Sequence, residues 1–399
     1  MTLDVLRSQV DGALRRSVNR PVVVAATAAS VLLAILLGAS YGWRQATLFA
    51  VGLGAGLVLY HAAFGFTGAW RVMITERRSA GLRAQMVMMS VAVMLFMPLL
   101  AAGELNGTPL RGSVAPLSSA IVAGAFLFGV GMQLGGGCAS GTLFTVGGGN
   151  VRMIVTLLAF IAGSVLGAWH WPAWQDAPQL APVSLLEAFG PAGAIGISVG
   201  LFGLVWYGAG ALERRRHGRI ASSDQDPGLR RWLQGPWPLI AGALGLAAVN
   251  VATLTLAGRP WGVTSGFALW GSKAAAAVGL DVAAWPYWQR SGPATSLQAS
   301  VFSDITSVMN FGIVLGALAA AGLAGRFAPA WRMPLRSLAA AIVGGLLLGY
   351  GARIAYGCNI GAYFSGLASA SLHGWLWFAA AFAGNSLGVR LRPVFALDR

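Results

Sequence analysis

Ten stretches of 17 to 23 residues, nearly free of charge, run through this chain: 22–38, 46–64, 84–102, 117–133, 151–169, 187–209, 238–256, 305–323, 337–353 and 373–390. An α-helix needs roughly 20 apolar residues to cross the hydrocarbon of a bilayer, whereas a membrane strand needs about 10 and alternates. The pattern predicts an all-α polytopic membrane protein of about ten transmembrane helices. Only 10% of the residues are charged, against roughly 25% in soluble domains, so this surface belongs in lipid. The 56 glycines fit the same setting, where small residues let helices approach closely or mark breaks in them.

The formal charge of +15 would suggest nucleic acid in a soluble protein. Here the arginines sit between the apolar runs, not on a soluble module interleaved with aromatics, so no nucleic-acid partner is expected. They report topology instead. With the N-terminus inside, 21 of the 27 Lys and Arg fall on the cytoplasmic side, including Arg71–Arg83, Arg152, Arg214–Arg231 and Arg326–Arg336; the positive-inside rule then predicts both termini cytoplasmic. Residues 1–21 read as a retained basic tail, since no cleavage site follows a short apolar core. Trp43, Trp169, Trp171, Trp174, Trp261, Trp285 and Trp288 fall at the outer ends, as an interfacial belt requires.

An internal repeat carries the functional reading. FLFGVGMQLGGGCASGTLF matches LLLGYGARIAYGCNIGAYF at an offset of 220, placing Gly129, Gly131, Gly137, Cys138 and Gly141 on Gly349, Gly351, Gly357, Cys358 and Gly361. GSVLG at 163–167 resembles GNSLG at 384–388, and FGFTGAW from Phe64 more weakly matches SGFALWG from Ser265. The span before Cys138 runs inward and that before Cys358 outward, so the copies are expected to be inverted. Inverted repeats that bring broken helices together near the midplane are a common construction for a transport site.

The segments after each cysteine, ASGTLFTVGGGN and NIGAYFSGLASAS, are too short and polar to cross, and read as re-entrant half-helices around a buried polar path. A cysteine at the N-terminal end of such a helix meets free N–H groups and the positive end of its dipole, which favours an anion beside it and makes the thiol more reactive. Ser140, Thr142, Asn359 and Ser365 supply further hydrogen-bonding groups. The chain has two cysteines, both at the same repeat position, which sets them apart from the usual lone, packing cysteine. A disulfide between them is the structural alternative. Zinc would need about two more ligands, and no Cys or His lies nearby in sequence. Among the histidines His61 stands out: His217 lies in a loop, His170 in the tryptophan-rich rim, and His373 at the start of the last span.

GVGMQLGGGCASG and GYGARIAYGCNIG resemble the paired motifs of the YeeE/YedE family of sulphur-compound transporters, whose studied members take up thiosulfate. The resemblance spans roughly residues 46–393. It implies that Cys138 and Cys358 are the thiols that contact sulphur as the substrate passes; Gly137, Ser140, Gly141, Gly357, Asn359 and Gly361, with Gly65 and His61, complete the expected path. The family commonly carries a third cysteine in a QRGRFCLTGGF-like stretch. This chain reads YHAAFGFTGAW there, with Gly65 in the place of the cysteine and Tyr60 and His61 in the places of a polar and a basic residue.

The expected organisation is a tail (1–21), an extra span (22–38), a first inverted repeat (46–172), a linking span and loop (173–237) and a second repeat (238–393). The expected function is uptake of thiosulfate, or a closely related inorganic sulphur anion, across a bacterial inner membrane, without a cofactor. Membrane lipid surrounds the chain, and a cytoplasmic sulphur-carrier protein is a candidate acceptor. The alternatives are transport of sulphite, a sulphide species or a selenium compound, and a membrane sulphurtransferase working through a persulfide. Arg353 and Lys273 are candidates to attract the anion. The acidic residues fall in or near loops, Asp304 being the deepest, which points to facilitated passage.

Overall fold

The computed structural model describes residues 17–221 and 229–397; most of the basic tail expected over 1–21 lies outside them. The described chain is helical apart from two short antiparallel ribbons, Glu104–Leu105 with Thr108–Pro109 and Leu117–Ser118 with Gln179–Leu180. In order, the helices are α1 (Arg20–Tyr41), α2 (Trp43–His61), α3 (Phe66–Glu76), α4 (Ala80–Ala102), α5 (Ser119–Gly135), α6 (Ala139–Gly147), α7 (Val151–Trp169), α8 (Trp171–Gln175) and α9 (Leu185–His217). They continue with α10 (Leu229–Gln234), α11 (Leu239–Ala257), α12 (Thr264–Ala277), α13 (Ser291–Gln298), α14 (Ile305–Leu323), α15 (Leu335–Ile354), α16 (Ser365–Ala368) and α17 (His373–Leu391).

Among the described residues, nine helical segments are long and apolar enough to cross a bilayer. The last expected span is present as α17, less apolar than these and packed along α5. The ends are set by local chemistry. Ser118, Asn150 and Asp304 cap α5, α7 and α14, each accepting a first-turn amide, from Ile121 at 3.2 Å, Met153 at 3.2 Å and Ser307 at 2.8 Å. Gly190, at φ +67° and followed by Pro191, kinks α9. One face of the bundle gathers the helix ends near Trp43, Trp169 and Trp261; the other gathers Arg152, Arg326 and Arg332.

Three of the nine segments are broken: Trp43–Glu76 between α2 and α3, Ser119–Gly147 between α5 and α6, and Leu335–Ala368 after α15. Each break joins buried residues to one exposed residue, Ala63, Gly136 or Tyr356. Around them the packing is reciprocal. Helix α5 runs along α17 as α15 runs along α7, α2 pairs with α14 as α11 pairs with α4, and α5 and α15 pack on each other.

Gly124 of α5 lies against Gly351 and Ile354 of α15, while Gly131 lies against Gly344 and Leu348. The numbers rise on one helix as they fall on the other, so the two motif-bearing helices are antiparallel. The repeat glycines account for the close approach. A Cβ on Gly129 would overlap the carbonyl oxygen of Ala381, and one on its repeat mate Gly349 would overlap that of Phe160. Gly163 and Gly384, which the GSVLG/GNSLG match relates, do the same against Leu346 and Phe126.

Candidate functional site

Gly136, at φ +90°, ends α5, and Cys138 then caps α6 from an extended conformation. The thiol sulphur accepts the Gly141 amide at 3.4 Å and lies 3.5 Å from Ser140 Oγ, while Thr142 Oγ1 donates to the Cys138 carbonyl at 2.9 Å. Glycine is needed at 137, where a Cβ would come within 3.2 Å of the Thr142 amide, and Gly141 leaves room for the sulphur itself.

The second copy is built in the same way but wound more loosely. Tyr356 (φ +61°) and Gly357 (φ +153°) turn the chain after α15, and Cys358 caps a π-helical turn, Asn359–Phe364. Both the Ala362 and Tyr363 amides reach the Cys358 carbonyl, at 2.9 and 3.3 Å. Single π turns recur at functional sites because they release a backbone group from the regular ladder. A Cβ on Gly357 would lie 2.8 Å from the Ala362 amide, so the turn requires glycine there.

Each cysteine therefore sits at the N-terminal end of a short helix, and the two short helices touch. Both thiols are free, and no more than 1% of either residue is exposed. The disulfide alternative is not formed.

Several polar groups here have no partner. Both side-chain atoms of Asn359, the Tyr363 hydroxyl, the Trp261 indole N–H and the Thr67 hydroxyl are buried without hydrogen bonds. Most buried polar atoms are satisfied, and each unsatisfied one costs about 1–3 kcal/mol. Asn359 follows Cys358 directly and Tyr363 lies in the same π turn, so unpaired polar groups are carried by the turn that Cys358 caps. Aromatic rings close the surroundings: Tyr363 stacks on Phe378 with centroids 5.0 Å apart and on Trp377 at 5.9 Å, and meets Phe66 and Trp70 edge-on. Tyr363 and Trp261 were not foreseen from sequence. The Leu143/Tyr363 difference between the two copies was the available signal.

Two cavities approach this core from opposite faces. On the tryptophan face a space of about 280 Å³ is lined by Arg111, Arg259, Ser265, Arg353, Gly357 and Gly361, with no acidic residue in its wall. On the other face a space of about 300 Å³ is lined by Phe64, Gly65, Gly68, Arg78 and Gln85. The first abuts the start of α12 and the second the start of α3, the elements that the weak FGFTGAW/SGFALWG match relates. At equivalent motif positions, Arg353 donates to the Thr264 carbonyl at 2.9 Å and Gln133 to the Thr67 carbonyl at 3.1 Å. The lock on each short helix is the same in form, but it carries a charge on the tryptophan face only. Arg353 is further held by the Tyr287 hydroxyl, and its guanidinium lies over that ring.

Lys273 is tied off, donating to the Leu297 carbonyl at 2.6 Å. His61 packs on Trp237 with centroids 5.3 Å apart and its carbonyl accepts the Trp237 amide; these contacts run to the loop before α11, not to the cysteine-bearing turns. His217, His170 and His373 contact Glu76, Tyr350 and Ser371 respectively.

Gly65 caps α3 and borders open space, with no atom within 4 Å of where its Cβ would be. Gly65→Cys is thus expected to fold with an unchanged elution profile and to react with a maleimide in the purified protein, whereas the two buried native thiols react at least about tenfold more slowly, as burial dictates. Equal reactivity before and after the substitution would show that the cavity does not admit solutes.

The comparisons with known proteins agree in kind. A family profile described as sulphur transport matches residues 61–387. Probable transporter YedE of Escherichia coli (strain K12) is 31% identical over 170 residues, which are 42% of this chain and 41% of that protein, so this match spans about two-fifths of the relative. Thiosulfate transporter TsuA of Spirochaeta thermophila is 28% identical over 347 residues, 84% of this chain and 95% of that protein. Its namesake in Escherichia coli (strain K12) is 24% identical over 336 residues, 80% and 87% of the two chains. With the profile covering most of its length, the paired cysteine motifs included, this chain belongs to the sulphur transport family.

Proposed function

We propose that this protein takes up thiosulfate, or a closely related inorganic sulphur anion, across a bacterial inner membrane, with both termini in the cytoplasm and residues 46–172 and 238–393 as the two inverted halves. The observation that carries this reading is the pair of free, buried thiols, each capping a short helix at the same position of a repeat, with unsatisfied donors beside one of them. Thiosulfate has the complementary chemistry. Its oxygens suit the Asn359, Tyr363 and Trp261 donors, and its polarisable terminal sulphur suits a thiol donor.

The path runs from the arginine-lined cavity past Cys358 and Cys138 to the Gly65 cavity. The thiols act by hydrogen bonding, so no covalent change is needed. In the occluded state the aromatic cluster separates the two cavities, and passage requires that it part. Names of relatives support the substrate class: two that match along most of the chain are thiosulfate transporters.

The test is uptake of radiolabelled thiosulfate into proteoliposomes, with sulphite and selenite as competitors. Saturable uptake blocked by unlabelled thiosulfate supports the reading. A stable persulfide on either cysteine by mass spectrometry, with no net uptake, would replace it with a sulphurtransferase. Arg353→Gln, which gives the second motif the residue of the first, is expected to raise the half-saturating concentration about tenfold, equivalent to about 1.4 kcal/mol. The maximal rate should stay within about twofold, as for a group that binds without taking part in passage. An unchanged half-saturation in a folded variant would remove Arg353 from the path.

A further inference from the structure

A third cavity has no part in that path. It encloses about 440 Å³ where the loop arginines gather, and its wall includes Thr145, Asn150, Arg152, Arg326, Arg332 and Ser337, with no Asp or Glu. Ser337 and Arg353 are at opposite ends of α15, 16 residues or about 24 Å apart along the axis, so this cavity is remote from the arginine-lined entrance.

Its charge has no counterpart among the described residues. Arg152 is committed, donating to the Gly135 and Leu134 carbonyls at 2.8 and 2.6 Å and to Ser337 Oγ at 2.9 Å. Arg326 and Arg332 have neither a hydrogen-bond partner nor an ion-pair partner among the described residues, where the single ion pair is Arg78–Glu213. Asn150 caps α7 here, so the free amides of that helix's first turn face the same space with the positive end of its dipole. Two guanidiniums and a helix start around one hollow are donors that no acceptor meets among the described residues; the polar side chains beside them are engaged within the fold, Thr145 donating to the Gly141 carbonyl at 2.7 Å and Asn150 accepting the Met153 amide.

We propose that this cavity binds a tetrahedral oxyanion, a sulfate or phosphate group, at a site separate from the transport path. Guanidinium forks match the paired oxygens of such a group, and a helix N-terminus adds amide donors. The group is either a free anion or the phosphate of a lipid headgroup. Through Arg152 an occupant is also joined to the end of α5, three residues before Cys138, and through Thr145 to the far end of α6.

The test uses the purified full chain in detergent, titrated calorimetrically with sodium sulfate against sodium chloride of equal ionic strength. Saturable sulfate binding is expected, weakened at least about tenfold in the Arg326→Gln/Arg332→Gln double variant and changed less than about twofold in Arg215→Gln, an arginine outside this cavity, a tenfold loss corresponding to about 1.4 kcal/mol. Should the double variant aggregate, Asn150→Asp keeps a capping oxygen but introduces a negative charge, and is expected to abolish binding. Repeating the titration in nanodiscs separates the sources: competition by phosphatidylglycerol but not phosphatidylcholine assigns the site to a lipid headgroup, and equal affinity in both assigns it to a free anion. No saturable effect of sulfate beyond chloride, or undiminished binding in the folded variants, overturns the proposal.

Discussion

Cys138→Ala and Cys358→Ala should each lower thiosulfate uptake by about 10- to 100-fold, and the double variant should fall to the level of empty vesicles. The range follows from the physical event. A buried donor that meets the solute in a water-free passage is worth about 1–3 kcal/mol when its partner is left unsatisfied, and every 1.4 kcal/mol is a factor of ten. Truncation at 138 also frees the Gly141 amide that now donates to the sulphur, so the donor left behind adds to the loss. The serine variants discriminate further. A hydroxyl preserves the hydrogen bond but not the soft, polarisable contact with sulphur, and Cys→Ser should retain more activity than Cys→Ala while remaining well below the wild type. Uptake at wild-type rates by both folded alanine variants would remove the thiols from the path altogether.

The other large effect is structural and needs no substrate. Gly129→Ala and Gly349→Ala each place a methyl group on a neighbouring main chain: at 129 it would overlap the Ala381 carbonyl oxygen and lie 2.7 Å from the Asn385 amide, and at 349 it would overlap the Phe160 carbonyl oxygen and lie 2.5 Å from the Ser164 amide. No rotamer change can relieve a clash with backbone. Two packed helices must separate, and overpacking of that kind costs about 1–3 kcal/mol, partly offset by the better helix propensity of alanine, about 1 kcal/mol. A fall in thermal midpoint of about 2–4 °C is expected for each, with the double variant falling about twice as far. Gly203→Ala on α9 is the control, since nothing lies within 4 Å of its Cβ position, and its midpoint should hold or rise. Equal midpoints for Gly129→Ala and Gly203→Ala would show that the crossing does not depend on glycine.

Much of this molecule was legible in the sequence because lipid imposes simple rules. Apolar runs had to become crossing helices, and nine of the ten expected spans recur as long apolar helices, with the tenth present as α17. The motif GVGMQLGGGCASG could be read as a helix followed by a break because glycines sit at both crossings and turns; the structure divides these duties, with Gly129 and Gly131 at crossings and Gly136 and Gly137 at the turn. Helices α3 and α12 could not be delimited. Phe66–Glu76 is 11 residues long and carries Arg71 and Glu76, too short and too mixed to signal a span. The cap over the tryptophan face, from Val282 through Gln298, has no periodicity, yet it supplies Tyr287 to Arg353.

The site was legible as a pair of cysteines and only in part as a pocket. That the Asn359, Tyr363 and Trp261 groups lack partners depends on what surrounds them in space, and adjacent sequence carries no record of it. The interest of His61 rested on its place in the YHAAFGFTGAW stretch, and its ring is engaged with Trp237.

One difference between the halves bears on direction of flow. A molecule whose two motifs were identical would present the same face to either compartment and conduct alike both ways. Arg353 in one motif and Gln133 in the other remove that equivalence with a charge that only one motif carries. For the divalent anion proposed above this is the arrangement of a rectifier: one entrance holds Arg111, Arg259 and Arg353, while the arginine of the other, Arg78, is paired with Glu213, so that capture is asymmetric even where the passage between them is not.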